Sequence, residues 1–269
     1  LVGLARAGSF ALQKCTVINM GALTRNVPAE LTVAAVAWEA EEGAIDESEP
    51  TFGQVPLTAR RLSGYSIVSN ELIADSTVDI AGLLTEQFSH AIGQELDNQV
   101  LNGTGLPCSG VLTAKAGYSV VMSAAAYSSV TCDNLSNMIA MLPEGFQSNL
   151  TYVFNRMATH FIRIQKDTAN NYIYAKPGNG VPGTVWEVPY YQTAKITQPD
   201  AADATDASTA WAVLGNFKYF YIGRRLGNMS LDVDPYGKFT TYQTQFRIVN
   251  RWAAAVAQAT AFCRLVSGS

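Results

Sequence analysis

Imidazole, the side chain most used for proton transfer near neutral pH, occurs at only 2 places in this chain, His90 and His160. His90 stands four residues after Glu86, the spacing of a helix-surface pair. His160 stands beside Phe161 and Ile162 in a helical stretch, where a packed or half-exposed ring is expected. The Gly-x-Ser-x-Gly, His-Glu-x-x-His and Gly-x-x-x-x-Gly-Lys patterns are absent. Gly178-Asn179-Gly180-Val181-Pro182-Gly183 does spell Gly-x-Gly-x-x-Gly, but that fingerprint works by opening a helix whose N-terminus holds pyrophosphate. Here Thr184-Val185-Trp186-Glu187-Val188 follows and reads as a strand. Glu41 and Glu42 imitate paired acids, with nothing nearby to bury them and raise a pKa. Cys15, Cys108, Cys132 and Cys263 lie far apart. They read as scattered buried thiols, with a disulfide or metal site as the alternative. The chain therefore predicts no catalytic residue, no metal site and no cofactor. It does not read as an enzyme.

The totals point the same way. A chain of 269 residues, 48% hydrophobic and 15% charged, is globular and can bury a substantial core. A net charge of -4 argues against a protein built to grip nucleic acid. No apolar run is long enough to span a bilayer, so no membrane partner is expected. Leu1 is not an initiator methionine, and Leu1 to Leu12 lacks a secretory signature, which predicts a processed or trimmed front.

The longest element must be a helix from Ser76 to Gly105. Ile80, Leu83, Leu84, Phe88, Ala91, Ile92, Leu96 and Val100 trace one apolar stripe. Glu86, Ser89, His90, Gln94, Asp97 and Asn98 fall on the other side. Ser76 with Asp79 makes a capping box, and Asn102-Gly103 predicts a left-handed stop. About 24 residues at roughly 1.5 Å each give a rod of about 36 Å, which needs a sheet or partner to cover its dry face. Gly82 and Gly93 interrupt it, each costing about 1 kcal/mol relative to alanine. They serve close packing or a bend.

Before the helix, Leu1 to Glu30 reads as an extended arm with no core of its own. Leu31 to Ala40 and Gln54 to Ser69 read as strands joined by an acidic run: Glu39, Glu41, Glu42, Asp46, Glu47 and Glu49. No basic residue occurs between Arg25 and Arg60. The run is either a solvated loop or a projecting arm that docks on a basic neighbour. After the helix, Asp133 to Leu142 predicts a helix capped by Asp133, and Thr151 to Phe154 a strand. Asn155 caps a further helix reaching about Lys166, and Tyr172 to Ala175 follows as a strand. Trp186 to Tyr191 predicts a strand broken by Pro189, and Gln198 to Ala210 a low-complexity surface loop. Phe217 to Ile222 and the stretch around Leu231 read as strands. Asp234-Pro235-Tyr236-Gly237 reads as a turn, and Phe239 to Val266 as a long strand.

Three separated stretches share a resemblance. The helix runs into Leu101-Asn102-Gly103-Thr104-Gly105, then Gly110-Val111-Leu112. Val153-Phe154-Asn155 opens a helix, followed by Lys166-Asp167 and Tyr172-Ile173-Tyr174. Leu214-Gly215-Asn216-Phe217, the hairpin at Asp234-Pro235 and Arg251 complete the set. In this order they resemble the major capsid proteins of tailed bacteriophages, whose fold is shared with encapsulin shells. Arg156 departs from the family's usual proline, and Asn170-Asn171 from a Gly-Arg type pair.

The resemblance implies an α+β fold. Residues 1–30 would be the N-terminal arm and 31–64 the extended hairpin called the E-loop. The peripheral (P) domain, a long spine helix over an antiparallel sheet, would take 65–108 and 212–251. The axial (A) domain, a mixed sheet with helices, would take 109–211 and 252–269. It implies hexamers and pentamers in an icosahedral virion shell around double-stranded DNA, contacted without sequence specificity and assembled in the host bacterial cytoplasm. A cement or decoration protein, a portal and a maturation protease are the family's further partners. The acidic tip (Glu41, Glu42, Asp46, Glu47, Glu49) would meet a neighbour's Arg60, Arg61, Arg224 or Arg225, and Gly82 and Gly93 are hinge candidates in the spine. Glu39 to Ala59 holds no lysine, so the isopeptide cross-link of some relatives is not expected. The rival readings are an encapsulin-type nanocompartment and a monomeric α+β enzyme or binding domain.

Overall fold

Two sheets share one hydrophobic core, and the long helix ties them together. The computed structural model describes residues 8–30, 38, 52–105, 107–124, 129–166, 169–173, 183–196, 209–225 and 231–268. The expected strand at 31–40 apart from Trp38, the acidic run, and nearly all of the glycine-rich match at 178–183 and of the expected loop at 198–210 lie outside them.

The chain enters through a short helix, α1 (Phe10–Lys14), capped by Ser9. Phe10, Ala11 and Leu12 are buried in the main core. Phe10 sits between the rings of Tyr191 and Phe217, at 4.8 and 4.7 Å. The arm therefore contributes to the core instead of merely lying on it. Next come β1 (Thr16–Met20) and β2 (Thr24–Glu30). β2 pairs antiparallel with β3 (Phe52–Thr58), from Thr24 opposite Thr58 to Glu30 opposite Phe52. β4 (Arg60–Ser69) follows after Ala59 alone.

The first sheet is organised by one long strand, β12 (Gln243–Val256). On one edge it pairs with β4 from Ser69 opposite Gln243 to Arg60 opposite Trp252. On the other it pairs with β11 (Leu231–Lys238) and then β10 (Phe220–Arg225), both antiparallel. β1 joins β10 in parallel, so the expected antiparallel sheet has one parallel edge. Asp234-Pro235-Tyr236-Gly237 is not a free turn: it is an irregularity inside β11, where Asp234 accepts from the backbone of Tyr236 and Gly237. The expected strand from Phe239 to Val266 becomes two, because a tight turn at Ala259–Ala261 separates β12 from β13 (Phe262–Val266).

The second, six-stranded sheet runs β5 (Tyr118–Val121), β13, β9 (Ala210–Gly215), β6 (Thr151–Phe154), β8 (Val188–Gln192), β7 (Thr184–Val185). It mixes parallel and antiparallel pairs. β6 is buried throughout, as a central strand must be. Trp186 and Glu187 both take positive φ to join β7 to β8, so the expected strand at Trp186 is a hairpin turn. α4 (Cys132–Ala140) is capped by Thr131, not Asp133. α5 (Arg156–Arg163) is capped by Asn155 as expected. Lys166 and Tyr172 make an isolated bridge where a strand was expected from Tyr172.

The short helix α2 (Asn70–Asp75) precedes the long helix α3 (Ile80–Asn102). Its cap is Asp79, which accepts from the Ala81 amide at 3.1 Å. Ser76 instead ends α2 and folds its hydroxyl onto Val78, so the expected capping box does not form. Phe88 packs over β4 where Gly64 leaves room: a Cβ there would stand 2.9 Å from the ring. Apart from Ser89, the deeply buried residues fall in the second half of the helix, among them Ile92, Leu96, Val100 and Leu101. Leu83 and Ala91 are exposed, and Ser89 and Asp97 are buried, against the predicted faces.

Candidate assembly surfaces

Burial of Asp97 has a definite cause. Its Oδ1 accepts from the Ser9 hydroxyl at 2.7 Å and the Ala11 amide at 2.8 Å, and its Oδ2 from the Phe10 amide at 3.3 Å. The carboxylate thus satisfies the open N-terminus of α1, where negative charge is favoured. Burial pushes its pKa up, while these hydrogen bonds and Lys195 pull it down; the net direction is upward. Gly8 lies against the His90 ring, with a Cβ position 3.1 Å from Cε1. His90 forms no ion pair with Glu86. The arm is pinned along the helix at these two places.

The helix ends differently from the expected left-handed stop. Gly103 has φ -49°, and the positive φ falls at Gly105. Gly103 is needed for closeness: a Cβ would meet the carbonyl oxygens of Cys108 at 2.5 Å and Gln99 at 2.6 Å. Gly110 donates to the Gly103 carbonyl at 2.7 Å, and a Cβ on Gly110 would strike Leu101 O and Gly103 N. The two glycine motifs after the helix are halves of one backbone clamp.

The hairpin of β2 and β3 is anchored at its near end. Leu57 and Ala59 are buried with Met20 and Ala253 in a small separate cluster. Asn26 and Gln54 bond across the strands at 2.9 Å. The acidic residues Glu41, Glu42, Asp46, Glu47 and Glu49 lie outside the described residues. Trp38, just before them, is described and fully exposed.

The candidate arginines converge at one end of the first sheet. Arg60 on β4 and Arg224 on β10 are both in register with Trp252, and Arg225 follows. Arg61 stands directly opposite Arg251, on the face of the sheet away from Arg60, Arg224 and Trp252. Like charges in that position repel. Among the described residues the ion pair present is Arg247 with Asp232, and none of these five arginines has a carboxylate partner. At the other end of the sheet the side chains of Val233, Tyr236, Phe239 and Tyr242 are exposed, and Tyr65 is exposed on the face opposite to Val233.

Of the hinge candidates, Gly82 is exposed in the first turn, where a Cβ would press on the Asp79 cap at 2.6 Å, and Gly93 is buried in the middle of the helix. The histidines are apart: His160 is exposed on α5 and meets Phe161 edge to face. The four cysteines are free thiols, and burial pushes Cys108 and Cys263 up to about 12. No group of His, Cys, Asp and Glu among the described residues could hold a metal. No helix of the described residues is long and apolar enough to cross a membrane.

Unpaired arginines, exposed aromatic side chains and an anchored hairpin are features suited to contact with other chains. Comparison with known proteins gives the class. The chain belongs to the phage capsid family, whose model matches residues 1–267. It is therefore a structural capsid protein and not an enzyme. No curated protein matches by sequence. Among solved structures, the capsid of a native GTA particle is 18% identical with TM-score 0.81, over 96% of this chain and 89% of that one. The capsid of an empty GTA particle is 19% identical with TM-score 0.79, over 96% and 89%. A structure of Mycobacterium phage Adephagia is 19% identical with TM-score 0.72, over 97% and 91%. These likenesses establish the fold.

Proposed function

We propose that this capsid protein assembles into hexamers and pentamers that close as an icosahedral shell around double-stranded DNA of a tailed phage. Arm, hairpin and sheet edges make modest contacts, and closure multiplies them through effective concentration. The observation that carries the contact is one end of the first sheet, where Arg61 stands opposite Arg251 on one face and Arg60 and Arg224 flank Trp252 on the other, with no carboxylate partner among the described residues. Such a cluster is stabilised by an acidic partner, and the run Glu39 to Glu49 of a neighbouring copy supplies one. The division proposed is arm 1–30, E-loop 31–64, P domain 65–108 with 212–251, and A domain 109–211 with 252–269. The α3 helix over the first sheet and the mixed second sheet support it. With no lysine from Glu39 to Ala59, the shell is held by overlap or a cement protein. Portal and maturation protease are the further partners of this reading, and assembly takes place in the host cytoplasm.

Reversing charge at Glu41, Glu42, Glu47 and Glu49 to lysine is expected to abolish particles or raise their critical concentration strongly, read by sedimentation. Unchanged particles would remove the acidic tip from the account. Gly93 is proposed as a hinge that lets α3 bend in an immature shell. Gly93→Ala should then delay or block expansion, followed by small-angle scattering; expansion at the wild-type pH and temperature would leave close packing as its role.

A further inference from the structure

A cavity of about 320 Å³ opens beside the arginine cluster, where β4, β12 and the second half of α3 meet the turn after the helix. Leu62, Leu96, Pro107 and Trp252 give it apolar walls, and Arg60 and Arg61 stand at its rim. Two of its lining side chains carry buried polar atoms with no partner, Trp252 Nε1 and Gln99 Oε1. Gln99 Nε2 is occupied by the lining Glu95, at 2.7 Å from Oε1. A buried donor and a buried acceptor on one cavity suit a peptide group, whose carbonyl and amide answer both. The cavity thus asks for an apolar side chain on an extended segment with negative charge beside it.

This chain contains that segment. We propose that Trp38 of a second copy inserts into the cavity, with Glu39, Glu41 and Glu42 of that copy meeting Arg60 and Arg61. The inference rests on the shell reading above and names the anchor of its hairpin contact. A tryptophan buries roughly 150–250 Å² and is one of the residue types enriched at interface hot spots, yet Trp38 is wholly exposed within its own chain. The described part of the hairpin leads away from that cavity. Thr24 and Thr58 mark the near end of the β2–β3 ladder, beside Arg60, and Glu30 and Phe52 the far end. Six residues of strand put about 20 Å between those ends, and Trp38 follows the far one.

The test uses assembled particles. Trp38→Ala should raise the concentration at which particles form about tenfold or more, as loss of a buried tryptophan anchor does. Trp38→Phe should restore part of it. Neither change should alter the melting of unassembled chain, where Trp38 is fully exposed. For location, Trp38 is replaced by the photo-cross-linker benzoylphenylalanine, and this light chain is co-assembled with isotopically heavy wild-type chain. Irradiation should join the light probe to heavy peptides containing Leu62, Leu96 or Trp252. Adducts confined to the light chain, or to another surface, overturn the inference while intact particles leave the shell reading standing. If wild-type chain forms no particles, the shell reading fails and the inference falls with it.

Discussion

Replacing Asp97 by alanine is expected to lower the stability of the unassembled chain by about 3 kcal/mol, a large share of the roughly 5–15 kcal/mol that holds a domain together. The change removes the acceptor for the Ser9 hydroxyl and for the amides of Phe10 and Ala11. Ser9, Phe10 and Ala11 are buried, so water cannot take its place. Released, α1 would also withdraw Phe10 from Tyr191 and Phe217. Urea denaturation measures the loss, and amide exchange should accelerate over Phe10–Lys14 before the rest. Asp97→Asn keeps one acceptor but turns an NH₂ toward the Phe10 amide, and should cost less. The pH dependence has a definite sign. Asp97 is held above its ordinary pKa, so the folded state keeps its proton longer than the unfolded state. Its contribution is most favourable below the ordinary carboxylate range and declines as pH rises from there through the raised value. Asp97→Asn should flatten that part of the stability profile.

Gly110→Ala is expected to cost about 3 kcal/mol or more, or to prevent folding, because the added methyl would strike backbone, which cannot rotate aside. The atoms met are Leu101 O and Gly103 N, both at the end of α3. Relief requires the hydrogen bond from Gly110 N to Gly103 O to open, and with it the exit of the chain from the helix. Gly145→Ala is the control: nothing lies within 4 Å of its Cβ position, so stability should move by less than about 0.5 kcal/mol. Equal effects at the two positions would mean that the clamp is not tight.

Local signals were readable in the residues themselves. Asn155 caps α5, β6 is an unbroken apolar strand, and α3 runs where its period puts it. Long-range partners were not. Nothing near Asp97 in the chain says that its carboxylate caps a helix 86 residues earlier, so it looked like one more residue on a wet face. The same distance hid the parallel pairing of Thr16 with Tyr221. Ser76 and Asp79 both had the chemistry of a cap, and only the backbone geometry of α2 decided between them. The arginines are visible as residues, but that Arg60 and Arg224 flank Trp252 on one face while Arg61 meets Arg251 on the other depends on the register of β12 with β4 and β10. The glycine motifs after the helix carried the family resemblance; the backbone contact between Gly103 and Gly110 is the physical reason glycine stands at both.

Electron microscopy of the purified, expressed chain tests the central claim most directly. The expected result is closed shells of uniform size with hexameric and pentameric capsomers, in which a hairpin from one subunit reaches the arginine end of the next subunit's first sheet. A stable monomer of 28.9 kDa under assembly conditions, with no particles on the grid, would contradict it.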